Sequence, residues 1–306
     1  MTTGEKSHGF TLVELMIALV LGLVLLAGVI GVFLSNQATS RVNHELATLQ
    51  SSARLAFQMM SQDIRSAGFA GCNNSGRVVS IITGTPDWSQ WRGGIEGFAA
   101  GVHGDSESLR LMYGAGDTVS VLNHVPPTLT VNNSSALRVG DIAMLCDDTL
   151  SSVFQVSARS DTSINHAAAA PLNCATDLGF EFPFVCSSAR PRIFPGGSML
   201  MRFESVLWLV APSTDNPDIH SLYREVVVGG SLVREEVLFG VANVSFAYQE
   251  GDLPFGPVAF SPALNMGNVV GVQVELLMDP SAFAAADVPI DMRTIRFFAS
   301  IRNRLR

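Results

Sequence analysis

The chain has 306 residues, of which 47% are hydrophobic and only 15% charged, a balance that favours a membrane-attached protein over a disordered one. The net charge of −8 argues against nucleic acid as a partner, because a surface that binds phosphates needs an excess of basic residues.

A polar leader and an apolar run open the chain. Residues 1–9 read MTTGEKSHG, and residues 15–34 contain no polar side chain. A helix of twenty residues rises about 30 Å, which is the thickness of a bilayer core. The run is too long for the core of an ordinary signal peptide, and no A-x-A cleavage site follows it. We therefore predict a transmembrane helix over residues 12–34.

The helical pattern continues beyond the apolar run. Apolar residues recur at steps of three and four as far as Ala67, with polar residues between them, which is typical of a helix with one apolar face. Gly68 and Gly71 are the first stop signals. We predict one helix from about Phe10 to Ala67, within a segment 10–71, whose first half is apolar on all sides. The stripe of its second half consists of Val42, Leu46, Leu49, Ala53, Phe57, Met60, Ile64 and Ala67.

After Cys72 the composition changes to short strand-like runs separated by Gly, Pro, Asn and Ser. We predict an α+β protein in which the long helix packs on one β-rich domain, residues 72–306, with long loops. Residues 159–197 show little strand pattern. The predicted strands lie within 77–83, 108–113, 118–123, 141–146, 153–158, 199–211, 221–228, 233–239, 244–249, 269–278 and 293–303.

No catalytic motif stands out in the chain. The histidines are scattered and form no metal-binding pattern, and Gly114-Ala115-Gly116 reads better as a turn than as a nucleotide-binding loop. We therefore expect no enzymatic activity, no cofactor and no metal site. The four cysteines form no CxxC pair, and their even number in a domain outside the cytoplasm suggests two disulfides, with three connectivities open.

The N-terminal residues carry a specific signature. Gly9 is followed by Phe10, then by Thr11-Leu12-Val13-Glu14 and the apolar run. This arrangement resembles the type IV prepilin signature. The resemblance implies that a prepilin peptidase cuts between Gly9 and Phe10 and methylates the new amine of Phe10.

Glu14 is costly where it lies, because an ionised acid at the centre of a membrane helix costs roughly 2.5–3.5 kcal/mol. No cation lies within a turn or two of it in the chain. Cleavage after Gly9 would create one, the positive amine of Phe10, its own or that of a neighbouring subunit. The resemblance implies that Glu14 meets the amine of an adjacent subunit, which sets the axial register of the helices. Glu14 and Phe10 are therefore the expected docking residues.

Later blocks narrow the resemblance to the PilW family of minor pilins, and with it to the type IV pilin fold. The family resemblance also implies the disulfides Cys72–Cys146 and Cys174–Cys186, because the first two cysteines fall in matching blocks and the other two in an unmatched insert. The matching blocks are residues 52–72, 139–156, 222–226, 239–248 and 294–304.

A minor pilin primes pilus assembly and can sit at the pilus tip. The resemblance thus implies a single-pass inner-membrane protein with a periplasmic C-terminal domain, which moves to the pilus on the cell surface. Its partners would be the peptidase, other minor pilins, the major pilin, the inner-membrane assembly platform and membrane lipid. A J-type minor pseudopilin of type II secretion shares some of the blocks and stays an alternative. A membrane-anchored enzyme or binding module is an alternative of another class, although a plain anchor gains nothing from Glu14.

Overall fold

The structure is a computed structural model, and it divides the chain into two compact units, Met1–Ser52 and Ala53–Arg306. It describes residues 11–72, 77–84, 86–168, 172–182, 185–251, 256–282, 290–291 and 293–304.

One long helix, α1, runs over Leu12–Ser66. From Leu12 to Leu34 its large apolar side chains are exposed on all sides, and the stretch Leu12–Arg41 is long and apolar enough to cross a membrane. Gly22, Gly28 and Gly31 lie in this stretch, and a Cβ on any of them would meet no neighbouring atom. This part of the helix therefore needs lipid or other helices around it to cover its apolar surface.

From Ala53 the same helix belongs to the second unit and buries one face. Ala53, Ala56, Met60 and Ile64 are each at most 3% exposed, at spacings of three and four residues. The helix ends because Gly68 adopts φ 75°, a left-handed conformation typical of helix termini, and its N–H donates to the carbonyl of Met112. The structure thus shows the long N-terminal apolar helix and the β-rich C-terminal region that the sequence predicts.

Seventeen strands are assigned among the described residues. They are β1 (Val78–Ser80), β2 (Ile95–Phe98), β3 (Ser108–Val125), β4 (Thr128–Val131), β5 (Ile142–Cys146), β6 (Ser151–Gln155), β7 (Ala158–Ser160), β8 (Ser163–Asn165), β9 (Gly179–Phe180), β10 (Ala189–Arg190), β11 (Met199–Pro212), β12 (His220–Val228), β13 (Ser231–Phe239), β14 (Val241–Glu250), β15 (Val258–Ala259), β16 (Val269–Met278) and β17 (Thr294–Ser300). Short 3₁₀ helices lie at Asp87–Ser89, Arg92–Gly94, Cys186–Ser188, Met266–Asn268, Pro280–Ala282 and Arg302–Arg304.

The strands form one large and two small sheets. The large sheet has eleven strands in the order β1-β6-β5-β11-β3-β4-β8-β7, with β12 beside β11, β13 beside β12 and β2 beside β3. A four-stranded sheet has the order β15-β14-β16-β17, and β9 pairs with β10. All pairs are antiparallel except β1 with β6. The core lies around Phe154, Phe194 and Leu200 on one part of the large sheet and around Trp88, Phe203 and Met144 on another.

The predicted turn at Gly114-Ala115-Gly116 is wrong. These residues lie inside β3, which runs unbroken for 18 residues. Ala115 pairs with Arg202 and Val119 with Leu200, so β3 carries extra residues at this point. Gly116, with φ 76°, sits in this bulge, which is the position where a strand tolerates a left-handed residue.

Candidate functional site

Thr11 and Glu14 cap the N-terminus of α1. The Thr11 N–H and hydroxyl both donate to Glu14 Oε2, at 3.0 and 3.1 Å. The Glu14 N–H approaches Thr11 Oγ1 at 3.3 Å. This reciprocal arrangement is a capping box, which satisfies N–H groups that the first turn of a helix leaves free. Glu14 therefore has a local partner in Thr11, three residues before it.

The other residues of the predicted processing site, Gly9 and Phe10, lie outside the described residues. The cleavage, the methylation of Phe10 and the contact between Phe10 and Glu14 therefore stay predictions. Glu14 is exposed and lies in the first turn of α1, so the expectation of an acid at the centre of the membrane helix is wrong.

A buried carboxylate joins the C-terminal part of α1 to the large sheet. Asp63 is 4% exposed. Its Oδ1 accepts hydrogen bonds from the Tyr113 hydroxyl at 2.7 Å and from Arg224 Nη2 at 3.2 Å. Its Oδ2 accepts from Trp208 Nε1 at 3.0 Å and from Arg224 Nε at 2.9 Å. We call these four residues the Asp63 anchor.

The sheet brings the partners of Asp63 together. Tyr113 lies on β3, Trp208 on β11 and Arg224 on β12, and Trp208 is the direct cross-strand neighbour of Arg224. Burial and the charge of Asp63 raise the pKa of Tyr113, so its hydroxyl stays a donor. Burial would lower the pKa of Arg224, but its hydrogen bonds to Asp63 and the charge of that carboxylate raise it overall. A bidentate ion pair with two further donors compensates for the burial of the charge.

Two disulfides tie down the β-rich unit. Cys72, just after the helix, is bonded to Cys146 at the end of β5, with their Cα atoms 5.8 Å apart. Cys174 is bonded to Cys186, with a Cα separation of 6.0 Å. This is the pairing that the family resemblance implied.

Arg304 fixes the C-terminal end of the described chain. Its Nη1 donates to the carbonyls of Met266 at 2.5 Å and Val269 at 2.8 Å, and its Nη2 donates to the carbonyl of Gly93. Burial lowers the pKa of this guanidinium. Sequence reasoning missed the roles of both Arg304 and the Asp63 anchor. The only signal was that Asp63, Arg224 and Arg304 fall within the blocks that resemble the PilW family.

His124 and His166 form a buried pair in the β-rich unit. His124 and His166 are at most 2% exposed, and their Nε2 atoms lie 2.9 Å apart. His124 Nδ1 accepts a hydrogen bond from the Phe194 N–H at 3.0 Å, so its proton sits on Nε2 and is donated to His166. Burial lowers the pKa of each ring to about 4. Within the described part of the chain, no three His, Cys, Asp or Glu residues are placed to hold a metal ion.

Of the comparisons with known proteins, the family models gave a match, and it lies at the N-terminus. Residues 5–30 match the family model of the prokaryotic N-terminal methylation motif. No curated protein and no solved structure matches the chain. The matched segment contains the predicted cleavage site, Glu14 and most of the apolar run. The N-terminal segment of the chain is therefore that of a type IV prepilin-like protein.

Proposed function

We propose that this chain is a minor pilin of the type IV pilus, similar to the PilW family, which primes pilus assembly and can sit at the tip. The methylation motif at residues 5–30, which includes the first turns of one long helix, is the observation that carries the proposal. The blocks that resemble PilW, among them the segment with Asp63 and Cys72, support the family in particular. In this proposal the chain catalyses no reaction.

Processing comes first in the proposed sequence of events. The chain enters the inner membrane with its β-rich unit in the periplasm. Prepilin peptidase then cuts between Gly9 and Phe10 and methylates the Phe10 amine. Cleavage creates a positive charge one residue before Thr11, close in sequence to the Glu14 carboxylate. A buried pair of opposite charges can specify register between helices, which gives Glu14 a use that a plain membrane anchor lacks.

During assembly, neighbouring helices replace the lipid around the apolar part of α1. Leu15, Leu19, Leu23, Leu26 and Ile30 are between 55% and 62% exposed in the single chain. When the helix leaves the bilayer, these side chains must pack against the helices of other minor pilins and of the major pilin. Packing of this kind between membrane helices depends on close van der Waals contact, which small residues such as Gly28 permit.

Gene deletion in the native host tests the role. We expect loss of pili and of twitching motility, with protein secretion unchanged. The J-type minor pseudopilin of type II secretion shares some of the sequence blocks and makes the opposite prediction. A secretion defect in cells with normal pili would reject the minor pilin proposal in favour of the pseudopilin.

A further inference from the structure

A groove of about 620 Å³ lies beside the C-terminal part of α1, within the second unit. One wall is the helix face with Ser61, Gln62 and Arg65. Arg302 and Asn303, from the C-terminal 3₁₀ helix, also line it, and so does Phe69. We call this feature the Arg65–Arg302 groove. Neither the methylation motif nor the proposed processing involves it.

The groove is cationic in a chain whose net charge is −8. Its lining contains Arg65 and Arg302 and no acidic residue. Both arginines are exposed, and neither has a hydrogen bond or ion pair with any residue that the structure describes. By contrast, Arg224 and Arg304 have their acceptors within the fold. Two unpaired guanidinium groups in one concave site favour an anionic ligand.

Ser61 supplies an independent sign of a missing partner. It is 4% exposed and lines the groove, and among the described residues its Oγ finds no hydrogen-bond partner. A buried hydroxyl without a partner is unusual, because leaving it unsatisfied costs about 1–3 kcal/mol. Ser61 precedes Arg65 by one helical turn, so the two side chains share a helix face.

The groove also has an apolar part. Phe69 is 38% exposed and Phe57 lines the same groove. Gln62 and Asn303 add amide groups, which can pair with a peptide backbone. A small inorganic anion would use the arginines and leave the aromatic and amide surface uncovered. A peptide with an acidic side chain next to an apolar one would contact the arginines, the aromatic surface and the amide groups.

We propose that the Arg65–Arg302 groove binds an acidic segment of another protein chain. A carboxylate lies between the two guanidinium groups, and the neighbouring apolar side chain packs on Phe69. This inference does not depend on the proposed pilin function, although a neighbouring subunit is one source of such a segment.

Fluorescence anisotropy on the full chain in detergent micelles tests the proposal. The probe is a fluorescein-labelled hexapeptide of alternating leucine and glutamate. We expect saturable binding that weakens as salt rises, and at least about tenfold weaker binding to the R65Q/R302Q double variant, since each charge-assisted hydrogen bond contributes about that factor or more. The R54Q variant should bind as wild type does, because Arg54 is exposed on the same helix but does not line the groove.

Three results would overturn the proposal. The first is equal binding of the peptide to R65Q/R302Q and to wild type. The second is equal binding of a control peptide with glutamine in place of glutamate. The third is the absence of saturable peptide binding, including the case in which inorganic phosphate alone binds and the groove proves to be a small-anion site. None of these results bears on the cleavage between Gly9 and Phe10, so a failure here is distinguishable from a failure of the proposed function.

Discussion

Glu14 has two uses that demand different chemistry. As the acidic partner of Thr11 it needs only an acceptor oxygen at the start of the helix. As the partner of a positive Phe10 amine it needs a negative charge. Glutamine satisfies the first demand, since it occurs at the same position of capping boxes, but it fails the second. The two uses can therefore be separated by a single substitution.

We predict that Glu14→Gln leaves cleavage at Gly9 largely intact and strongly impairs incorporation into pili, and we expect the same of Glu14→Ala. Thr11→Ala, which removes the capping hydroxyl but leaves the charge, should be incorporated far better than either. Immunoblots of the membrane and sheared-pilus fractions measure both steps. If Glu14→Gln assembles at the wild-type level, then Glu14 acts only as a cap.

The Asp63 anchor predicts a large and local effect on stability. Asp63→Ala leaves the half-buried Arg224 without its counter-ion and two further donors without an acceptor. Breaking a buried pair in this way costs about 3–5 kcal/mol of unfolding free energy. Asp117→Ala, at an exposed position of β3, is the matched control and should change it by less than about 0.5 kcal/mol. Chemical denaturation in detergent measures both variants, and equal stability of the two would contradict the account of the anchor.

We expect the buried pair His124 and His166 to make the stability of the fold sensitive to acid. Their pKa is about 4 in the folded chain and near the ordinary 6.5 in the unfolded chain. Between these values the unfolded state binds protons that the folded state does not, so stability falls as the pH drops from about 6.5 to 4. The slope is at most about 1.4 kcal/mol per pH unit for each histidine.

Unfolding free energies measured at pH 7 and pH 5 test this expectation. The H124Q/H166Q variant should have a flatter dependence on pH than wild type, whatever its stability at pH 7. His44→Gln, at an exposed position of the helix, should leave the dependence unchanged. A wild-type slope in the double variant would show that other groups cause the acid sensitivity.

At the scale of elements, the helix and the long strands were predictable because their patterns are local. The apolar run and the stripe through Ala53, Met60 and Ile64 fix a helix whose end differs from the prediction by one residue. Every predicted strand range overlaps a strand of the structure. The strands that the pattern missed, such as β2 and β4, are at most four residues long. So few residues cannot show the alternation of buried and exposed positions that identifies a strand.

The contacts between elements were not predictable, because they join residues far apart in the sequence. Asp63 lies 50 residues from Tyr113 and 161 from Arg224. His124 and His166 are separated by 42 residues. No local pattern marks such partners. Gly116 was misread for a related reason, since a bulge and a turn both require glycine and only the pairing with β11 tells them apart.

We expect the two disulfides to contribute unequally to the stability of the β-rich unit. Cys72–Cys146 closes a sequence separation of 74 and Cys174–Cys186 one of 12. Loop-closure entropy then gives about 4.5 kcal/mol for the first and about 3 kcal/mol for the second. Urea unfolding of C72S/C146S and C174S/C186S under non-reducing conditions measures the difference. A larger loss in the second variant would show that loop length does not govern these bonds.

At the scale of the whole molecule, the two compact units differ in how their apolar surface is covered. The β-rich unit buries its own core, whereas the apolar part of α1 exposes large hydrophobic side chains on every side. Such a surface requires lipid first and, in the proposed assembly, neighbouring helices afterwards. The methylation motif covers the start of this helix, and the proposed cleavage there would change both its terminus and its charge.

The intact mass of the protein purified from its native host tests this central claim most directly. The account predicts a mature chain that lacks residues 1–9 and begins at Phe10, with one added methyl group on the N-terminal amine. Fragmentation from the N-terminus locates that methyl group. An unprocessed chain that still begins at Met1, in cells that contain an active prepilin peptidase, would contradict the account.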